Sequence, residues 1–516
     1  MRTTSSEFEV DDAGLVRVRS PRDDLLLERA DGPDVYACET GPFDSYRRTL
    51  AVEELGGGRH QVTETTEWSL AIPIWAPLFN PLAKRMLRRT AAPGPADPEG
   101  SERSSPWWAP PDRLDARASS VLSRLCGLSL LAGYLGTVLT QTITYSADQF
   151  DASKTAQGTA LAAVRVGVLL SVVLLAMADK RGRQKLLVLC AVAGSIASGA
   201  TALAPNLWVL GGTQTVSRGF SGALALLITV VAVEEMPSGG RAYATSVLAM
   251  TAALGAGVAV ILLPIADVGP SAWRLLYLVP LLALPLFLKM SRRIPESRRF
   301  TKPHGKASLA GHRGRLFLLA ASAWFALLFF APNTQFQNDF LRDEHGFSAV
   351  QISIFTLLTN TPGGIGIVVG GHLADTRGRR LVGAVGTIGG AILLGLRFLV
   401  SGPWLWIFSI AGTIVAAATV PALAVYGPEL FPTTLRGKAN GIISVAGVLG
   451  SAVGLMIAGR LADHFGSLGP GLAILAIGPL VVAALVILFY PETAHMDLET
   501  LNPEDAPATA VLPPLS

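Results

Sequence analysis

Two short charged stretches hold the residues best suited to making and breaking ion pairs. The first runs from Ala178 to Lys185, and a copy runs from Ala374 to Arg380 at an offset of 196 residues. Each lies in a tight loop between two long apolar runs, where carboxylates and guanidinium groups can form charge-assisted hydrogen bonds and glycine permits the turn. We expect a gating role for their shared members, which are Asp179, Arg181, Gly182, Arg183, Asp375, Arg377, Gly378 and Arg379. The alternative is a static role in capping helices and setting topology.

Two further motifs repeat at nearly the same offset. Glu234 with Arg241 returns as Glu429 with Arg436, 195 residues later, and a Pro-Glu-Ser triplet at 295–297 returns as Pro-Glu-Thr at 491–493. Three motifs in register indicate one membrane unit used twice, which is the layout of a secondary transporter with a cleft between its halves. We expect Glu234, Arg241, Glu429 and Arg436 to pair on the same surface and to lock the halves together when the cleft opens on the other side.

Ionisable residues inside apolar runs are costly and usually face a cavity. Arg165 lies within the second apolar run and Arg218 near the middle of the fourth. Their counterparts in the second half, Thr361 and Thr413, carry no charge. We expect at least one of the two arginines to bind an anionic group of a substrate, the alternative being an internal pair that holds helices together.

Amide side chains recur where the repeat places matching sites. Gln141 and Gln337 are 196 residues apart, and Pro332 interrupts the seventh run just before a polar stretch. Amides both donate and accept hydrogen bonds, which suits hydroxyl and carboxylate groups of a solute. The predicted substrate-binding amides are Gln141, Asn333, Gln337, Asn338 and Asn360. Polar contacts between helices are the alternative role.

A carboxylate is needed to carry a coupled proton. Because an arginine contact lowers the pKa of a carboxyl and burial raises it, a carboxylate whose arginine contact breaks during a cycle gains and loses a proton. Glu234 is the first candidate and Asp148 the second. Facilitated diffusion, with these carboxylates purely structural, remains open.

The chain has 516 residues, of which 50% are hydrophobic and only 16% charged. After residue 118 the apolar residues form runs of about 20, the length that spans a bilayer as a helix. These features predict an all-α membrane protein with twelve transmembrane helices in two six-helix bundles related by a pseudo-repeat, preceded by a small α+β extension. The predicted spans lie near 122–146, 157–178, 186–205, 208–232, 243–265, 271–290, 315–336, 349–372, 381–400, 404–427, 438–461 and 469–490.

The predicted division of the chain follows from these runs. It comprises an extension with a Pro-rich linker at 1–118, bundles at 119–290 and 315–490, a central loop at 291–314 and a tail at 491–516. The five loops on the side of the charged stretches hold 18 Lys and Arg residues, and the opposite short loops hold 2. By the positive-inside rule, both termini and the central loop are cytoplasmic in a multi-pass protein of the plasma membrane.

The extension contains two features with opposed interpretations. Residues 46–55 and 59–72 flank three glycines and predict a β-hairpin. Residues 68–89 are rich in Trp, Leu and Ile and end in four basic residues, which predicts a segment at the membrane interface. The alternative is the packed end of a small α+β domain. Cys38, Cys126 and Cys190 are widely spaced and predict neither a disulfide framework nor a metal site.

The duplicated loop motif, the paired Glu-x-x-Pro-x-x-x-Arg motifs and the Pro-Glu-Ser/Thr pair resemble the major facilitator superfamily over residues 119–495, most closely its sugar-porter and metabolite–proton symporter branches. This resemblance implies gating by the loop motifs. Two departures stand out: Gln214 occupies a fourth-helix position that often carries arginine, and the fifth helix has Gly255 and Gly257 without the antiporter signature.

These observations together predict a secondary active transporter of a small polar solute, either a sugar or an organic anion, working by alternating access in symport with protons. The expected partners are the solute, protons and the lipid bilayer; no oligomer is required and no nucleic acid is implied. A proton-coupled efflux antiporter of amphiphilic compounds and a non-transporting membrane sensor or scaffold are the alternatives. The sequence contains no Walker A motif, no Gly-x-Ser-x-Gly and no metal-ligand spacing, so we expect no enzymatic activity and no cofactor.

Overall fold

The computed structural model describes residues 1–24, 26–91, 112–237, 240–294, 309–432 and 435–493. The extension begins with a five-stranded antiparallel sheet of order β1-β5-β4-β3-β2. Its strands are β1 (Arg2–Asp11), β2 (Leu27–Gly32), β3 (Val35–Thr40), β4 (Phe43–Gly56) and β5 (Arg59–Leu70). Helix α1 (Asp12–Val18) follows β1, and α2 (Ala76–Ala91) follows β5. The predicted hairpin is confirmed as β4 and β5, and the α+β character of the extension is confirmed with it.

The predicted interface segment at 68–89 is divided between two elements. Trp68 belongs to β5, is buried in the core of the sheet and donates a hydrogen bond from Nε1 to Thr4 Oγ1 at 3.0 Å. Ala83 and Leu87 of α2 pack into the same core. The segment therefore closes an α+β domain. The face of α2 that carries Ala83 and Leu87 is covered by the sheet, so this face does not meet lipid.

Buried charges tie the sheet to the loops before β2. Arg48 and Glu28 are both buried and form an ion pair at 2.6 Å, and Arg48 also donates to the carbonyl of Val18 at 2.9 Å. Arg22 pairs with the buried Glu64 beside them. A buried pair stabilises only when its remaining hydrogen bonds are satisfied, so this cluster specifies one packing of the loop on the sheet.

The part of the chain that the structure describes contains twelve helices long and apolar enough to cross a membrane, here called spans 1 to 12. They run over Ala116–Gln149, Lys154–Leu175, Arg183–Thr201, Leu207–Glu235, Tyr243–Val268, Arg274–Arg292, Arg313–Gln335, Ala349–Ala374, Arg379–Leu399, Pro403–Ala424, Lys438–Phe465 and Leu468–Phe489. The predicted all-helical membrane fold is confirmed. Span 1 begins earlier than predicted because Asp115 accepts a hydrogen bond from the Ala118 amide at 2.6 Å and caps the helix ahead of the apolar run.

Glycine brings helix backbones together inside each bundle. A Cβ added at Gly366 would lie 2.0 Å from the Ile414 carbonyl, and one at Gly454 would lie 2.2 Å from that of Leu328. Close helix packing is therefore the role of these glycines, since only a residue without a side chain permits such an approach. Gly364, by contrast, faces open space.

In the part of the chain that the structure describes, the two halves, spans 1–6 and spans 7–12, pack together mainly at one end. We call the end that carries the charged loops the basic side and the opposite end the far side. Toward the far side one continuous hydrophobic cluster includes residues of both halves. Toward the basic side the clusters separate, one within residues 118–294 and one within 319–490. Among the described residues, hydrophobic packing between the halves is therefore concentrated toward the far side.

Candidate substrate cavity and gates

Arg165 and Arg218 line the same small internal cavity. Arg165 lies 11 residues into span 2, roughly 16 Å deep at ~1.5 Å per residue. Arg218 reaches the cavity from span 4 and donates to the Gly136 carbonyl at 2.6 Å. Within the described residues, neither guanidinium has a carboxylate within 4.0 Å. The other lining residues are Leu135, Gly136, Leu139, Thr140, Leu161, Val164, Gln214 and Gln335.

Gln335 is the cavity residue that sequence reasoning missed. It belongs to span 7, so it brings the second half to a cavity whose other lining residues come from the first half. Its Oε1 is buried without a hydrogen-bond partner. A buried acceptor that lines one cavity with two half-buried cations is suited to a ligand with both donor and anionic groups. The polar stretch after Pro332 was the signal, but its helical phase could not be read from the sequence.

The predicted substrate amides form a network between helices beside this cavity. Buried Arg397 of span 9 donates to the Oδ1 of Asn333 at 2.8 Å and to the Oε1 of Gln337 at 3.1 Å. Asn338 donates to the Oε1 of Gln141 at 3.2 Å, which joins the two halves. Sequence reasoning counted Arg397 only as a residue at a helix end. Asn360 is exposed near the middle of span 8.

A fully buried carboxylate holds the far side together. Asp339 lies in the segment after span 7, where burial raises the pKa of its carboxyl and the neighbouring Lys154 ammonium opposes that rise. It forms an ion pair with Lys154 of the other half and accepts hydrogen bonds from Gln157 at 2.8 Å and Thr144 at 2.9 Å. Asp148, the second proton-coupling candidate, forms an ion pair at 3.3 Å with Arg342 across the same interface.

Two further aspartates cap helices across the interface. The Asp463 carboxylate of span 11 accepts from the amides of Lys154 at 3.0 Å and Thr155 at 2.8 Å, at the start of span 2. Asp267 of span 5 accepts from the Ala349 amide at 2.6 Å, at the start of span 8. Carboxylates at helix N-termini are stabilising because of the exposed amides and the helix dipole. Sequence reasoning missed this reciprocal pair, although its members are 196 residues apart like the other repeated motifs.

On the basic side, each motif glutamate contacts an arginine of its own half. Glu234 forms an ion pair with Arg183, and Glu429 forms one with Arg379. Arg377 is exposed at the end of span 8, and Arg241 begins the helix of span 5. The side chains of Asp179, Arg181, Asp375 and Arg436 lie outside the described part of the structure. The two described ion pairs therefore each lie within one bundle.

Both loop turns depend on glycine. Gly182 and Gly378 have φ of +94° and +96°, a region that other residues rarely adopt. The Glu492 carboxylate of the repeated Pro-Glu-Thr triplet accepts from the amides of Arg379 at 3.0 Å and Arg380 at 3.1 Å. It thereby caps span 9 at the turn. The corresponding triplet at 295–297 falls outside the described residues.

This geometry predicts the cost of a single methyl group at the turn. Replacing Gly378 with alanine should destabilise the folded protein by about 1–3 kcal/mol, because the backbone is strained for any L side chain. The new Cβ would also lie 2.7 Å from Glu492 Oε2. Thermal unfolding in detergent measures the effect. Gly212→Ala, at a helical glycine with nothing within 4 Å, is the control and should leave the melting temperature unchanged or higher. Equal melting temperatures for the two variants would contradict the strain.

Sequence comparison agrees with this architecture. Residues 317–513 match the model of the Major Facilitator Superfamily. The match lies in the second half of the chain and covers less than half of its length. Two similar proteins of this transporter class are the cis,cis-muconate transport protein of Acinetobacter baylyi and a sialic acid transporter of Escherichia coli. The first is 26% identical over 339 residues, covering 61% of this chain and 80% of the relative. The second is 28% identical over 339 residues, covering 61% and 78%.

Solved structures of major facilitator proteins share the fold. The inward-open xylose transporter of Escherichia coli has a TM-score of 0.62 at 17% identity, covering 75% of this chain and 99% of that one. A bacterial homologue of the human lysosomal transporter Spinster, in an inward-facing conformation, has a TM-score of 0.61 at 16% identity, covering 76% and 99%. These likenesses show the fold of a multi-pass membrane protein, and the sequence matches are to transporters of small solutes.

Proposed function

We propose that this chain is a proton-coupled symporter that moves a small organic anion across the plasma membrane by alternating access. The observation that carries the proposal is the cavity lined by Arg165 and Arg218, two half-buried cations without a carboxylate partner among the described residues. Buried charges are costly unless they are paired, so an anionic solute that enters this cavity gains the interaction that the protein itself does not supply. The names of both similar transporters, for muconate and sialic acid, are those of carboxylic acids.

The two halves contribute different charges to the cavity, which favours a solute whose anionic group lies at one end. Arg165 and Arg218 belong to the first half, and the second half contributes the Gln335 amide to the same cavity. A carboxylate would contact the guanidinium groups, and a hydroxyl, amide or second polar group would contact Gln335. We further propose that Gln141, Asn333, Gln337 and Asn338 support the cavity through Arg397 and the interface between the halves.

The sidedness follows from charge. We propose that the basic side is cytoplasmic, because Lys- and Arg-rich loops favour that side, and that the conformation described here is open to the cytoplasm. We propose that the charged loops, with Asp179 and Asp375, form the contacts between halves that close this side in the opposite conformation. The Arg183–Glu234 and Arg379–Glu429 pairs would then keep each loop in position for that contact.

Proton coupling would use carboxylates whose ionic contacts change during the cycle. Asp148 contacts Arg342 of the other half, so opening of the far side breaks that pair and exposes the carboxylate to external protons. On the basic side, Glu234 pairs with Arg183 of its own half, and it would join in coupling only if closure of that side exchanged this contact for one with the other half. The carboxylates of Asp148 and Glu234 would then be exposed in turn to protons from the outside and from the cytoplasm.

Uptake by reconstituted vesicles tests the proposal, with cis,cis-muconate as the anionic probe and D-xylose as the neutral one. An inward-directed proton gradient should drive muconate above equilibrium, and a protonophore should abolish that accumulation. Asp148→Asn or Glu234→Gln should reduce accumulation more than equilibrative exchange. Muconate that only equilibrates, with no dependence on pH, would overturn coupling; uptake of xylose but not muconate would overturn the anionic substrate.

A further inference from the structure

An apolar groove lies between the extension and the membrane bundle. One wall is α2, which presents Leu78, Phe79 and Leu82 with exposed fractions of 71%, 41% and 45%. The opposite wall is formed by spans 1 and 5, including Met250 and Leu254 with exposed fractions of 58% and 55%. Because spans 1 and 5 face the bilayer along this surface, the groove is continuous with the lipid-facing surface of the protein.

Helix α2 has three distinct faces at about 100° per residue. Ala83 and Leu87 are buried against the sheet. Leu78, Phe79, Leu82 and Met86 line the groove. The third face, next to the groove, carries exposed basic residues, which are Lys84, Arg85 and Arg88.

The extension holds α2 at the level of the basic side. Trp75, just before α2, donates from Nε1 to the Ser123 carbonyl of span 1 at 3.0 Å. Arg113, just before span 1, donates from Nε to the Asp24 carbonyl of the extension at 3.0 Å. These two contacts fix the distance between α2 and the bundle, so the groove is a built feature rather than a chance gap.

We propose that this groove binds an anionic phospholipid. One acyl chain occupies the space between α2 and spans 1 and 5, where the apolar side chains of both walls contact it. The headgroup lies against the basic face formed by Lys84, Arg85 and Arg88, because cationic side chains at a membrane surface attract anionic lipids. The bilayer supplies this occupant directly, since one wall of the groove is itself a membrane-spanning surface.

The charge pattern selects this lipid class. A zwitterionic lipid could fill the apolar groove but would gain little from three cations, whereas phosphatidylglycerol gains the headgroup contact as well. The linker between α2 and span 1 is the competing occupant, because Trp107 and Trp108 lie within residues 92–111, outside the described part of the structure. The acyl chain and the linker tryptophans are both apolar, so the experiment must distinguish which of the two occupies the groove.

The experiment compares lipid retention by the full-length protein in native mass spectrometry after equilibration with phosphatidylglycerol or phosphatidylcholine. Leu82→Gln should reduce retention of both lipids by about tenfold, a change that corresponds to ~1.4 kcal/mol. The triple variant Lys84→Gln/Arg85→Gln/Arg88→Gln should reduce the preference for phosphatidylglycerol by roughly tenfold to a hundredfold, at ~1 kcal/mol for each basic residue.

Matched controls are available in the same domain. Val16→Gln replaces another exposed apolar residue, and Arg17→Gln/Arg29→Gln/Arg59→Gln removes three exposed charges away from the groove. Both controls should retain lipid as the wild type does. Undiminished retention in Leu82→Gln, or an unchanged lipid preference in the Lys84, Arg85 and Arg88 variant, would overturn the proposal. So would lipid binding that appears only in Trp107→Ala/Trp108→Ala, since the linker would then fill the groove.

Discussion

Replacing Arg165 or Arg218 with glutamine is expected to weaken the binding of cis,cis-muconate by roughly tenfold to a hundredfold. The estimate follows from the ~1.5–3 kcal/mol that a hydrogen bond to a charged group contributes. Binding of a neutral solute should change far less, because glutamine keeps a donor at the cavity while removing the charge. The extent to which muconate raises the melting temperature of the purified protein measures the effect.

A matched substitution distinguishes the effect of removing a charge from the cavity from the effect of removing a positive charge elsewhere on the protein. Arg460→Gln removes an exposed arginine near the end of span 11 and should leave muconate binding intact. The ligand-free stability of the two cavity variants should not fall much, because removing a half-buried cation without a carboxylate partner relieves part of its desolvation cost. Normal muconate binding in both variants would assign the two arginines to helix packing and remove the basis for an anionic substrate.

The repeat made much of this architecture predictable from sequence. Three motifs at a common offset indicated two equivalent bundles, and Gly182 and Gly378 indeed adopt φ values within 2° of each other. The apolar runs predicted the twelve spans because bilayer thickness fixes helix length. The reciprocal caps by Asp267 and Asp463 follow the same offset, so a systematic search at 196 residues would have found them.

Other parts of the site depend on information that spacing does not contain. In the sequence, Arg397 is simply the residue at the end of an apolar run. In the structure, span 9 is rotated about its axis so that Arg397 donates hydrogen bonds to the Asn333 and Gln337 side chains. Gln335 and Gln337 are two residues apart, yet only Gln335 lines the cavity, because the helix of span 7 ends at Gln335. Helical phase at a proline-interrupted helix end is set by tertiary contacts, which local sequence patterns do not encode.

The far side should open when its buried ion pair is broken. Asp339→Asn leaves the Lys154 ammonium in a partly buried interface with Asp343 alone. Leaving one member of a buried pair without any partner costs ~3–5 kcal/mol. Because Lys154 keeps its contact with Asp343, we expect about half of that cost, ~2 kcal/mol, and only while the far side is closed. A bias of that size shifts the ratio of the two conformations by roughly thirtyfold toward the far-side-open state.

Spin labels at Leu203 and Leu399, exposed residues at far-side ends of the first and second halves, report the distance between the halves. In a background with Cys38, Cys126 and Cys190 replaced by alanine, Asp339→Asn should lengthen that distance and slow transport. Asp343→Asn removes a carboxylate from the same cluster, but its side chain is 35% exposed, against 0% for Asp339. That variant should therefore have little effect, since exposed ion pairs contribute only ~0–1 kcal/mol.

The double variant Lys154→Gln/Asp339→Asn distinguishes a specific ion pair from a general loosening of the interface. It removes both charges, so no buried ion is left uncompensated and the closed far side should be partly restored. The helix caps by Asp267 and Asp463, and the close approach of Gly158 to the Leu455 carbonyl, remain in place to hold spans 2 and 11 and spans 5 and 8 together. Distances in the double variant as long as those in Asp339→Asn would show instead that Asp339 closes the far side through its hydrogen bonds to Thr144 and Gln157, independently of Lys154.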